Sequence, residues 1–179
     1  MAGRTPVEAT HAFIEPLRRA LACVWVGHIS TTGYDKRPEP HSLTLNRGES
    51  VPLKCTDGSS LGFRVTMKFE HAEAEGDHGP WTVRTIEYIY VFEGADGEEF
   101  LSYHWHPSVE GIPYPHLHVE RAGNDSPPLT RRTHVPTGRI AIEQVLRLAI
   151  TQFGVQPLRE DWAETLAQAH GGYEEFQTW

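Results

Sequence analysis

The stretch Ser102–Glu120 carries two His-x-His pairs, His104/His106 and His116/His118. Each pair lies in a run typical of a β-strand, where residues two apart point to the same face. All four positions are even-numbered, so an antiparallel register with an even index sum puts all four imidazoles on one face. We expect His106 to face His116 and His104 to face His118. The opposite face would then carry side chains suited to a core: Tyr103, Trp105, Leu117 and Val119.

Alternation of apolar and polar residues predicts two further strands, Leu61–Glu70 and Trp81–Phe92, N-terminal to these pairs. Asp96-Gly97 is a hairpin-turn signal between the second of them and a strand over Glu98–His106. Antiparallel sheets commonly have one packed face and one wet face. The sequence therefore predicts an antiparallel meander in which the histidines crowd the wet face.

The same turn sets a register between the two strands that flank it. If Asp96 and Gly97 form its centre, Ile89 faces His104 and Glu87 faces His106. Glu87 would then lie beside the histidines as a carboxylate.

Helical spacing of apolar residues predicts three helices, over Glu15–Val26, Ile142–Phe153 and Pro157–His170. Pro16 is expected in the first turn of the first helix, and Gly171-Gly172 is expected to end the third. A short strand is expected near Ser42–Asn46, and residues 1–10 read as a loose start. The predicted fold is α+β: an antiparallel meander of four to five strands with N-terminal and C-terminal helices packed on one face. We expect a single domain over residues 1–179, with residues 1–14 and 173–179 as loose termini.

Charge and cysteine content narrow the function classes. The formal net charge of −8 argues against non-specific electrostatic binding to nucleic acid, although it allows a local basic strip. Two cysteines, Cys23 and Cys55, do not make a disulfide framework, so a reducing cytoplasm is the expected location. The longest apolar run, from Ala20 to Val26, is too short to span a bilayer, and no membrane association is expected.

Histidine is a common metal ligand and the common general acid or base near neutral pH. In one interpretation His104, His106, His116 and His118 bind Zn²⁺ or another divalent transition metal, with Glu87 as a further ligand. In another, the imidazoles shuttle protons in phosphodiester cleavage without a metal. In a third, the histidines only pack and hydrogen-bond on a polar sheet face.

The segment from His134 to Arg139 precedes a predicted helix, where backbone N–H groups favour anions. Thr137 could donate a hydrogen bond to a phosphate and Arg139 could bind it in bidentate fashion. Alternatively, this is an ordinary loop-to-helix junction with Thr137 near the cap and Arg139 solvated.

Residues 81–153 resemble the core of TumE-type bacterial toxins, which are encoded beside helix-turn-helix antitoxins and described as ribonuclease-like. Those proteins carry a Tyr-Asp-Asn run and then a His-His-x-His or His-x-His run. Tyr103 matches the tyrosine, and His116 and His118 match the histidines, while His104 and Trp105 stand where the family has Asp-Asn. The resemblance implies a ribonuclease-like toxin or defence component, RNA as a substrate and an antitoxin-like protein partner.

These observations together predict a histidine-dependent phosphodiesterase or ribonuclease. His106 or His116 would take the proton from a 2′-hydroxyl, and His118 or His134 would protonate the leaving oxygen. Arg139 would stabilise the phosphorane charge. Substrate contacts would come from Tyr103, Thr137 and Glu87. The alternative is a non-catalytic metal-binding or protein-interaction domain.

Overall fold

A computed structural model describes the chain over residues 2–35, 39–73, 79–107, 112–119 and 133–175, except for the side chains of residues 172–175. Within those ranges, nine strands pair antiparallel in one sheet, and three helices accompany it. The α+β prediction is confirmed, but the sheet is larger than the four to five strands predicted. The strands are β1 (Ala2–Gly3), β2 (Ile29–Thr31), β3 (His41–Leu45), β4 (Val51–Lys54), β5 (Ser60–Glu73), β6 (Trp81–Glu93), β7 (Glu99–Trp105), β8 (His116–Val119) and β9 (Val135–Pro136), and the helices are α1 (Pro6–Leu21), α2 (Ile142–Gln152) and α3 (Trp162–Glu175).

The sheet is built on the long pair β5 and β6, and its order is β2-β3-β5-β6-β7-β8-β9. Two short strands share one edge of β5: β4 pairs with Ser60–Phe63 and β3 pairs with Thr66–Phe69. The short β1 pairs with β6 at Trp81 and Thr82. The predicted meander is therefore the centre of a wider sheet, and β7, β8 and β9 form one side of it.

Helix α1 begins at Pro6, nine residues before the predicted start. Thr5 is its N-cap: the Thr5 hydroxyl accepts a hydrogen bond from the Glu8 N–H, and the Glu8 carboxylate accepts one from the Arg4 N–H. A Thr-x-x-Glu pattern with proline at the first helical position is a helix-start signature. Pro16, expected in the first turn, lies inside the helix instead.

The C-terminal helices differ in how well their bounds were predicted. Helix α2 spans Ile142–Gln152 and is followed by Gly154 with a φ of 71°, as expected for a glycine that ends a helix. Helix α3 begins at Trp162 and not at Pro157, and it continues beyond Gly171 to Glu175. The predicted glycine stop is therefore wrong.

All three helices contribute to a core on one face of the sheet. Side chains from the helices and the strands are buried together in one cluster, which includes Phe13, Leu17, Val145, Leu146, Leu166, Val65, Phe69, Tyr88 and Tyr90. Tyr103 and Trp105 are partly buried against that cluster. Since side chains alternate along β7, His104 and Ser102 point to the face opposite the helices.

Strand pairing confirms one predicted register and corrects the other. Ile89 pairs with His104 between β6 and β7, as expected. Between β7 and β8, however, His104 pairs with His116 and Ser102 pairs with His118, so the predicted pairing is shifted by two residues. A shift of two keeps every side chain on its face, so the histidines still share one face.

Candidate metal centre

Five imidazoles gather where β7, β8 and β9 meet, and we call His104, His106, His116, His118 and His134 the histidine cluster. His104 lies on β7, and His106 follows the end of that strand. His116 and His118 lie on β8, and His134 immediately precedes β9. The pairing of His116 with Pro136 and of Leu117 with Val135 brings His134 alongside His118.

Three members of the cluster converge most closely. One nitrogen each of His104, His116 and His118 lies within 4.8 Å of the others. The ring centroids of His104 and His118 are 4.7 Å apart, those of His116 and His118 are 4.9 Å apart, and those of His104 and His116 are 5.5 Å apart. Three imidazole nitrogens this close to one another could hold one metal ion.

The other two imidazoles flank this trio. The His134 ring lies 4.4 Å from that of His118 and 4.9 Å from that of His116, centroid to centroid. The His106 ring lies 5.2 Å from that of His116 and 5.7 Å from that of His104. The cluster thus has a core of three nitrogens with one further imidazole on each side.

His116 is the most deeply placed member, with no exposed surface. Its Nδ1 lies 3.0 Å from the Tyr114 carbonyl oxygen, which only accepts, so Nδ1 carries the proton and donates. Its Nε2 is therefore a bare lone pair, buried and without a hydrogen-bond partner among the described residues. A buried acceptor left unpaired costs free energy, and a ligand at that nitrogen would remove the cost.

His104 has the same unpaired character. Its Nε2 is buried and finds no hydrogen-bond partner within the described ranges. Burial, with smaller contributions from the neighbouring imidazoles of His118, His116, His106 and His134, lowers the pKa of His104 from 6.5 to about 3. Burial also lowers the pKa of His116. Both rings are neutral at pH 7, and neutral imidazole is the form that binds metals.

Two predicted site residues lie on the other face of the sheet. The guanidinium carbon of Arg139 lies 3.6 Å from the Trp105 ring centroid, and Arg139 donates to the Thr85 carbonyl oxygen at 2.9 Å. Tyr103 pairs with Tyr90 and Leu117 and packs against the core. The structure therefore does not bring Arg139 or Tyr103 together with the histidines.

Thr137 does not lie at the start of α2 as a phosphate site there would require. Its N–H donates to the Pro115 carbonyl oxygen at 2.8 Å. The helix begins at Ile142, and the Gln144 side chain accepts the Ala141 N–H at 3.0 Å. The glutamine thus satisfies the N–H of Ala141, the residue that precedes the helix.

Glu87 lies on the histidine face, but its carboxylate pairs with Lys68 at 3.0 Å. Ser102, on the same face, is fully buried and is the cross-strand partner of His118. The Ser102 hydroxyl donates to the Glu99 carboxylate at 2.5 Å. Spacing alone gave no signal that Glu99 would reach this residue.

No family model matches the chain, and no curated protein or solved structure is significantly similar to it. The likeness to TumE-type toxins consequently stays a prediction. Within the described residues, no helix is long and apolar enough to cross a membrane.

Proposed function

We propose that the protein binds a divalent transition metal ion, with Zn²⁺ as the first choice, through His104, His116 and His118. The observation that supports this most is the convergence of three imidazole nitrogens within 4.8 Å of one another. Two of these rings carry buried Nε2 atoms that no described residue satisfies. Packing alone would leave that desolvation cost uncompensated, whereas metal coordination removes it.

The donor set favours particular metals. Imidazole suits zinc, copper, nickel and iron, while magnesium and calcium prefer carboxylate and carbonyl oxygens. Glu87 is held by Lys68 and is not in the converging group. Three neutral protein ligands leave a fourth coordination position for water or substrate, which is the pattern of catalytic rather than structural zinc sites.

Elemental analysis of protein purified without an affinity tag tests the metal proposal. We expect about one zinc per chain after equilibration with Zn²⁺ and dialysis, and competitive titration with a chromogenic chelator gives the affinity. The His116→Ala variant should lose the ion. The His28→Ala variant is the matched control, because His28 is exposed and lies outside the cluster. Absence of stoichiometric metal from the parent protein, or its retention by His116→Ala, would rule the site out.

A second candidate function is phosphodiester cleavage of RNA, either at this centre or by the imidazoles alone. What favours it is the position of His106 and His134, which flank His116 on either side. In this proposal His106 takes the 2′-hydroxyl proton and His134 protonates the leaving oxygen. Arg139 is engaged with Trp105, so stabilisation of the phosphorane charge would come from imidazolium or a bound cation.

Labelled RNA separates these candidates. Cleavage by the parent protein that is lost in His134→Ala and in His106→Ala, while zinc content is unchanged, would support the catalytic function. Inhibition by a chelator would assign the reaction to the metal form. A tight zinc complex with no cleavage would leave a non-catalytic metal-binding domain.

A further inference from the structure

The His116 ring is oriented by the backbone of the preceding segment. Its Nδ1–H donates to the Tyr114 carbonyl oxygen at 3.0 Å, and the ring has no exposed surface. The hydrogen bond made by one ring nitrogen sets which nitrogen is left to bind a metal. The Tyr114 carbonyl therefore determines that Nε2, and not Nδ1, is the donor atom of His116.

The Tyr114 side chain meets the His116 ring edge-on but does not hydrogen-bond to it. It is 41% exposed, and its ring centroid is 6.2 Å from that of His116. Only the main-chain carbonyl contacts the imidazole nitrogen. Any restraint on the Tyr114 peptide therefore also restrains the orientation of the His116 ring.

Two features hold that peptide. Pro115 follows Tyr114, and a residue before proline is restricted to extended conformations, which limits the directions its carbonyl can take. The Pro115 carbonyl oxygen accepts the Thr137 N–H at 2.8 Å, which ties the segment to the strand carrying Pro136, the partner of His116. The Tyr114 carbonyl is thus restrained by the ring of Pro115 and by the hydrogen bond between the Pro115 carbonyl oxygen and the Thr137 N–H.

We propose that the Tyr114–Pro115 segment and the Thr137 N–H form the outer shell of the metal centre, holding His116 as its Nδ1–H tautomer with Nε2 directed at the ion. This rests on the proposed metal function, and it assigns Pro115 and Thr137 a positioning role that acts through His116. Outer-shell partners of ligating histidines fix the tautomer and ring orientation, and their loss typically lowers metal affinity about 10–100-fold.

The test uses two variants that release the carbonyl and two that spare it. Pro115→Ala removes the restriction on Tyr114, and Thr137→Pro removes the N–H that holds Pro115. Tyr114→Ala keeps the carbonyl, and Thr137→Ala keeps the N–H while removing the hydroxyl. In each protein, ¹⁵N chemical shifts of the metal-free His116 ring report the tautomer, with His116→Gln used to assign the signal. Zinc affinity is measured by chelator competition.

We expect the parent and both control variants to show the Nδ1–H tautomer and equal affinity. Pro115→Ala and Thr137→Pro should show a mixture of tautomers and an affinity lowered about tenfold or more. An Nε2–H tautomer in the metal-free parent overturns the proposal, and that measurement does not depend on how any variant folds. A changed tautomer with unchanged affinity in Pro115→Ala also overturns it. A parent that binds no zinc would instead refute the proposed function, while the tautomer measurement still stands by itself.

Discussion

Histidines also gather at a second place in the sheet, and they do so without forming a comparable site. His41 on β3 and His71 on β5, here called the histidine pair, have ring centroids 4.7 Å apart, as close as rings in the histidine cluster. His41 Nδ1 donates to the Thr32 carbonyl oxygen at 2.8 Å. His71 Nε2 lies 2.8 Å from the Thr10 hydroxyl. Each ring of the pair is thus bonded to a fixed protein group.

The two regions differ in whether their ring nitrogens have hydrogen-bond partners. Both contain buried imidazoles at similar spacing, and burial lowers the pKa of His71 as it does that of His104 and His116. In the histidine pair, the His71 nitrogen bonds to Thr10 of α1 and the His41 nitrogen bonds to the backbone that follows β2. In the cluster, nitrogens of His104 and His116 have no partner among the described residues. Proximity of histidines is therefore a weak indicator of a site, and unsatisfied buried donors or acceptors are a stronger one.

The largest expected contrast concerns stabilisation by metal. At a free Zn²⁺ concentration one hundred times the dissociation constant, the free energy of unfolding should rise by about 2.7 kcal/mol, because only the folded chain presents the site. His118→Ala should abolish this rise, and His71→Ala should retain it. Urea unfolding with and without zinc measures both. An equal loss in the two variants would remove the distinction between cluster and pair.

The pH dependence of the unfolding free energy of the metal-free protein should also distinguish His104 from His71. The folded-state pKa of His104 is about 3, whereas a histidine in the unfolded chain titrates near 6.5. Between these values the unfolded chain binds more protons, so stability is fully present above about pH 6.5 and falls as the pH is lowered toward 3. His104→Leu should flatten that fall more than His71→Leu does, because the pKa of His104 is lowered to about 3. Unfolding free energies at several pH values check this, and a fall in stability on raising the pH through this window would contradict it.

The smallest contrast is in the metal-free protein at neutral pH. His41→Leu should cost about 1–2 kcal/mol of unfolding free energy, because it removes the donor to the Thr32 carbonyl oxygen. His104→Leu should change that free energy by less than about 0.5 kcal/mol or raise it, because it deletes an unsatisfied buried nitrogen. Thermal unfolding in the presence of a chelator measures both. A large loss in His104→Leu would mean that the imidazole already has a structural role.

The sequence was sufficient to place the histidines on one face but not to pair them. Side-chain parity has a period of two, so a register shifted by two residues keeps the even positions together. The shift replaced the predicted partner His106 with His104 opposite His116. The pairing of Ile89 with His104 expected from the Asp96-Gly97 turn signal is present. The turn itself is closed by a hydrogen bond from the Gly97 N–H to the Gly94 carbonyl oxygen, and a register irregularity between Phe92 and Glu93 precedes it. No comparable turn signal joins β7 to β8.

Elements outside the meander were missed for identifiable reasons. In β4, Val51 and Leu53 are buried and Pro52 is exposed, which is a strand alternation, but a proline weakens that interpretation except in an edge strand. The start of α1 was hidden because Pro16 resembled an N-terminal proline, although Thr5 and Glu8 carried the true signal. Arg139 was assigned to the site by sequence order, and only its stacking on Trp105 shows that it belongs to the opposite face.

All three converging nitrogens come from two adjacent strands, β7 and β8. An ion held there would join neighbours that are already hydrogen-bonded, so it would act as a local clamp and not as a bridge between distant parts of the chain. Such a clamp suppresses opening of one hairpin at the margin of the sheet and leaves the helix-covered core as it was. Metal occupancy would consequently affect a partner that contacts the β7–β8 hairpin, while the rest of the molecule would remain unchanged.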